Sequence, residues 1–309
     1  MTDMSSRQTD SLPRGGRGHT SAVFTASAAP ILTVEQDEHF ILETRSLLTD
    51  GGFEETTEYE RFSIPVTGPV AISGVRAGDA LRIDVHAIDI ADRGAMVTLP
   101  GRGGFTGGLD RFGCVVSISD GQVWFDDDIS IPTRPMIGKL GVAPAKGAPS
   151  SSTVGTFGGN MDCKDIVAGS SVILPVQVDQ ALVFAGDLHA VQGDGECSLT
   201  GVEVEGSVEL SCTRLPGWAL PRPVVLSHHC VVTVGDGESL NGAAKLALDD
   251  MLALVCADRG WSREKAAMLM SATADVAVSQ LVNSRVSVKV TLPDRYFDSI
   301  PFHSQKVQI

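Results

Sequence analysis

Basic residues are in short supply in this chain: 24 Lys and Arg stand against 38 Asp and Glu, a formal charge of −14. Nucleic-acid affinity rests on clustered cations facing phosphates, so that class of partner is excluded, as is docking on anionic membranes. No run approaches the roughly 18 apolar residues of a membrane-spanning helix. The six cysteines (Cys114, Cys163, Cys197, Cys212, Cys230, Cys256) form no CxxC pair. With no apolar leader in MTDMSSRQTDSLPRGGRG, they are expected to be buried free thiols in a cytoplasmic protein rather than a disulfide framework. Catalytic signatures are equally sparse. There is no G-x-S-x-G elbow, P-loop, GxGxxG or H-E-x-x-H, and Ser262-Arg-Glu-Lys265 matches S-x-x-K only where Ser262 serves as a helix cap.

What is present is a folded chain of 309 residues, 43% hydrophobic and 20% charged, long enough for one large domain or two ordinary ones. We expect a mobile tail over residues 1–18 and a β-rich domain over 19–309. The 33 Gly and 15 Pro punctuate short apolar runs, as in a β-rich protein. Candidate strands include His39–Thr44, Ala80–Ile88, Ala181–His189, Gly201–Cys212 and Val286–Leu292; in Leu81–His86 apolar and polar residues alternate. Residues 92–110 and 132–160 read as long loops. Helical signal is late, over Asn241–Asp258 and from the Ser262 cap to about Asn283. The fold class that follows is mainly β with an α+β element: sandwich or barrel-like parts plus two C-terminal helices.

Candidate chemistry concentrates where Asp162, Asp187, His189, Asp194 and Glu196 fall within 35 residues. Asp187 and His189 are two apart near a strand end and project from one face. Glycines flanking Asp194 permit a tight turn that returns through Glu196. One imidazole with several carboxylates is a plausible shell for Zn²⁺, or for a harder ion such as Ca²⁺ or Mn²⁺ where oxygens dominate. A metal so held could acidify water and polarise a carbonyl. Against this stand the ordinary uses of Asp and Gly at turns and of a hydrogen-bonded structural His. Glu203 is a candidate base, while Glu205 and Glu209 belong to the wet face of an amphipathic strand.

At these residues the chain resembles the acetamidase/formamidase family. The resemblance is carried by Pro65-Val-Thr-Gly-Pro69, Ala77-Gly-Asp-Ala-Leu81, Pro135-Met-Ile-Gly138, Gly141-Val-Ala-Pro144, Gly158-Gly-Asn-Met-Asp162, Gly186-Asp-Leu-His-Ala190 and Gln192-Gly-Asp-Gly-Glu196, with Asp275 to Asn283 similar to a C-terminal helix. It implies hydrolysis of a short linear amide such as formamide or acetamide to ammonia and a carboxylate, in a homodimer. It also implies Asp162, Asp187, His189 and Glu196 as metal ligands, with Zn²⁺ the first expectation. Asn160 is expected to donate to an oxyanion, Glu203 or Asp194 to move the proton, and Phe157 and Gly159 to line the substrate. The chain departs from the family pattern in carrying Phe157 where relatives place His before Gly-Gly-Asn, and Ile64 where they place Asn before Pro. Those two positions motivate an alternative: a non-catalytic or retuned member binding a small ligand, or a hydrolase of another C–N bond.

Overall fold

The computed structural model describes residues 11–46, 64–216 and 221–299. Its strands join in one hydrogen-bonded network, a curled half-barrel sheet, with two helices near the C-terminus. The centre of the sheet is built by Met136–Val142, which pairs antiparallel with both Gly158–Asn160 and Val183–His189. Val183–His189 in turn pairs with Glu203–Leu215, placing His189 directly opposite Glu203. Every residue of Met136–Val142 and Val183–His189 is buried, so these strands show no alternation of apolar and polar residues. Phe24, Phe157 and Phe184 pack as a tilted and edge-on trio beneath them.

Helix α1 (Leu240–Arg259) begins where the Ser239 hydroxyl accepts from Gly242 N and ends at the left-handed Gly260. Helix α2 (Arg263–Thr273) starts at Ser262, whose side chain accepts from Lys265 N, so the S-x-x-K match is indeed a cap. The apolar face of α1, with Ala247, Met251 and Val255, lies against Val231, Val290 and Leu292 of the sheet.

Several expectations need correction. The second helix stops at Thr273, and Asp275–Gln280 is a strand antiparallel to Val286–Pro293. Val276 and Val278 suit an extended backbone, and pairing with the neighbouring strand overrides the helical reading of this segment. The loop expected over 92–110 is partly strand: Ala80–Thr98 runs straight through, bent by register shifts against Glu203–Leu215 and paired with Phe112–Ser119. The loop expected over 132–160 contains the buried central strand. In the segment expected as a tail, residues 1–10 lie outside the described residues, while Arg14–Gly15 pairs in parallel with Phe40–Thr44. All six cysteines are free, but only Cys163 and Cys212 are buried; Cys114, Cys230 and Cys256 are half-buried and Cys197 is exposed.

Candidate active site

Three adjacent strands and two tight loops converge on one buried acidic pocket. Lys139 on the central strand faces Asn160 on one side and Gly186 on the other. Gly138 lies at its floor: a Cβ there would sit 2.6 Å from Asp162 Oδ1 and 3.1 Å from Asp187 Oδ2, so only glycine lets the two carboxylates close in. Asp162, Asp187 and Glu196 all adopt left-handed backbone, with φ of 45°, 60° and 47°. Non-glycine residues seldom hold this conformation unless the surroundings enforce it, and such strain gathers at functional sites.

His189 is fully buried, and its environment fixes its proton. Gln192 Nε2 donates to Asp162 O at 2.8 Å and Ser279 O at 3.3 Å, which turns Oε1 toward His189 Nδ1 at 2.7 Å. Nδ1 is therefore the donor, and Nε2 is directed at the acids. Nε2 lies 3.0 Å from Glu203 Oε1 and 3.9 Å from Asp187 Oδ2. The first contact is a charge pairing at ion-pair distance, and Nε2 makes no well-formed hydrogen bond among the described residues. Two sets of donor atoms each lie within 4.8 Å of one another: Asp162, His189 and Glu196, and Asp187, His189 and Glu203.

Electrostatics set this cluster apart. Burial, then the charge of Asp187, raises the Asp162 carboxyl from its usual 3.8 to about 7. Burial and Asp162 hold Glu196 well above its usual range. Burial also raises Glu203, although His189 pulls it back. Burial depresses the His189 imidazole, but the charges of Glu203, Asp187 and Glu196 outweigh it and leave it well above its usual value. Lys139, itself buried, donates to Ile64 O at 2.8 Å and sits 3.4 Å from Asp187 Oδ2. A cavity of about 40 Å³ opens here, lined by Lys139, Asn160, Asp162, Asp187, Glu196 and Glu203, with Ile64, Arg102, Leu199 and Asn283 among its remaining walls.

The acid and imidazole positions expected from sequence thus come together, whereas Asp194, Phe157 and Gly159 do not join them. Asp194 does not line the cavity and is held by Lys164 at 2.9 Å and Lys289 at 2.8 Å. Phe157 is part of the core, its ring centroid 5.1 Å from that of Phe24. Gly159 is buried with φ 89°, and a Cβ there would meet Thr153 O at 2.3 Å. Asn160 lines the cavity, but its Nδ2 is engaged by Asp162 Oδ2 at 2.6 Å, leaving the acceptor Oδ1 unpartnered among the described residues. Glu205 and Glu209 pair with Arg17 and His39, away from the cavity, although the Glu209 side chain is only 10% exposed. Sequence reasoning missed Lys139, Gln192 and Arg102. Lys139 sits in a stretch read as loop, and Arg102 in a glycine-rich segment without periodicity. Gln192 opens the Gln192-Gly-Asp-Gly-Glu196 block three residues after His189, but a neutral amide gives no sign of catalytic or ligand chemistry.

The family model for the acetamidase/formamidase family matches residues 137–299, which include every acid and imidazole of this cluster. A solved acetamidase from Bacillus halodurans is 32% identical with a TM-score of 0.86, covering 92% of this chain and 98% of that one. This chain belongs to the acetamidase/formamidase family. The predicted acetamidase/formamidase of Thermoanaerobacter tengcongensis is similar to the same degree, 32% identical at TM-score 0.86 over 92% of this chain and 96% of that one. Among curated family proteins, the acetamidase of Mycolicibacterium smegmatis is 39% identical over 61 residues, 19% of this chain; that stretch spans only 15% of the relative.

The donor set fits a divalent cation. Asp162 Oδ1, His189 Nε2 and Glu203 Oε2 are buried without a hydrogen-bond partner among the described residues, a costly state for polar atoms. A cation bound by the imidazole nitrogen and neighbouring carboxylates would give His189 Nε2 and one of these acids a partner.

Proposed function

We propose that this protein hydrolyses the C–N bond of a short linear amide, releasing ammonia and a carboxylate. The observation that carries this is His189, with Nδ1 fixed by Gln192 and Nε2 bare among four acids beside a small polar cavity. The small polar cavity suits a substrate of few heavy atoms.

Asp162, Asp187, His189 and Glu196 would hold a divalent cation, zinc being the first choice for a mixed nitrogen and oxygen set. The cation would supply electrophilic pull on the amide carbonyl and acidify a nearby water. Asn160 Oδ1 takes an N–H of the substrate amide, since its own amide group donates to Asp162. The Lys139 ammonium, buried and already oriented by Ile64 O, offers a proton to the carbonyl oxygen as negative charge develops there. Glu203 lines the cavity, and burial raises its carboxyl above the usual carboxylate range, which suits a group that takes a proton from water and passes it to departing ammonia. Ile64 and Leu199 supply the apolar wall for the acyl group.

This reading assigns Phe157 no part in selecting the acyl group, because its ring packs on Phe24 rather than lining the cavity. Ile64 remains the departure that bears on acyl preference. A cytoplasmic location and a homodimer complete the proposal; no helix among the described residues is long and apolar enough to cross a membrane. The test is substitution. Asp187→Ala and His189→Ala should each lose at least ~10²-fold in ammonia release while keeping the wild-type circular dichroism. Full activity in both would remove this cluster from the mechanism.

A further inference from the structure

The Asp194 carboxylate does not face the cavity, yet it is tightly engaged. Lys289 Nζ, on a side chain only 4% exposed, lies 2.8 Å from Asp194 Oδ1 and 2.6 Å from Asp165 Oδ2. Asp165 follows Asp162 by three residues, and Asp194 precedes Glu196 by two. One buried ammonium therefore joins the two loops whose acids group with His189, beside the direct Lys164–Asp194 ion pair at 2.9 Å between the same loops.

The strand that carries Lys289, Val286–Pro293, makes a second attachment from the same face. Ser287, two residues before Lys289, donates Oγ to Met161 O at 2.8 Å. On the paired strand Asp275–Gln280, Ser279 O accepts from Gly195 N at 3.1 Å and from Gln192 Nε2 at 3.3 Å. The C-terminal hairpin thus touches both acid-bearing loops, and on both it stops just short of the acids themselves.

These loops need holding. Asp162 and Glu196 sit in left-handed backbone, which persists only where the surroundings over-determine it. The Lys289 ammonium between Asp165 and Asp194 ties the two loops together from the outside.

We infer that Lys289, with Asp165 and Asp194, is a positioning device: an ionic strap from the C-terminal hairpin that sets the spacing of Asp162 and Glu196. Its use in holding a cation rests on the proposed function, but the strap can be tested without it. A charge pair that merely stabilised the fold would, when broken, loosen the whole chain. A strap would loosen two loops.

The experiment is Asp194→Asn in the full chain, with Asp165→Asn as a second variant should the first fold poorly. Amide hydrogen exchange is read by segment, and zinc affinity by competition with a chelator. Exchange at Gly195 and Glu196, and over 162–166, should rise at least ~10-fold while α1 is unchanged. Zinc affinity should fall by about 10–100-fold. Unchanged exchange in both loops, or a uniform rise across the chain, overturns the strap. A wild-type protein that takes up no zinc refutes the metal reading instead, and the exchange pattern alone then decides the strap.

Discussion

Gln192 Oε1 accepts from His189 Nδ1 at 2.7 Å, while the same amide donates to Asp162 O at 2.8 Å, so one side chain orients both the imidazole and the loop of an acid beside it. Partners of this kind matter to a bound cation nearly as much as the ligands do. Gln192→Leu should weaken zinc binding by about 10–100-fold, measured by chelator competition, with the far-ultraviolet spectrum retained. An unchanged affinity would mean that His189 needs no orienting.

The raised acids predict how metal-free stability changes with pH. Asp162 titrates near 7 in the folded chain against a usual 3.8, so the native state keeps a proton that the unfolded chain has released. Its contribution is complete below about 3.8 and is lost as pH rises through 7. Glu196, Glu203 and His189, also raised, act in the same direction. Denaturant midpoints of chelator-treated protein should therefore fall from pH 5 to pH 8. A midpoint that rises across that window contradicts the shifts.

Cation binding should release protons, because the ligands must give them up. Calorimetry of zinc binding near pH 6.5, repeated in buffers of differing ionisation enthalpy, should show a net release of about one proton or more. Binding with no buffer dependence would mean that the acids are already ionised.

Phe157 separates packing from recognition. Phe157→Ala removes a ring packed at a tilt against Phe24 and should cost about 3–5 kcal/mol in denaturant unfolding. Phe157→Leu should leave KM for a small amide within about twofold, because the ring does not line the cavity. A large KM change in a stable Leu variant would return Phe157 to the substrate site.

Much of this architecture was legible in the residues. Alternation in Leu81–His86, the Ser262 cap and the helix stop at Gly260 are local signals, and the structure keeps them. The clustering of Asp162, Asp187, His189 and Glu196 was visible as density along the chain. What stayed hidden depends on distant pairing. Met136–Val142 is buried on both faces and so carries no alternation, and Lys139 was hidden with it. Asp275–Gln280 becomes a strand through its partner Val286–Pro293. Asp194 looked like a member of the acid cluster because sequence proximity says nothing about which way a turn residue points. Its partner Lys289 lies 95 positions away, so nothing in the local sequence could reveal the contact.

The most direct test of the central claim is ammonia release from formamide, acetamide and longer amides, before and after exhaustive chelation and after zinc is restored. The account predicts release from the shortest amides, its loss on chelation and its return with zinc in the wild-type protein but not in His189→Ala. Release that survives chelation and is untouched by His189→Ala would contradict it.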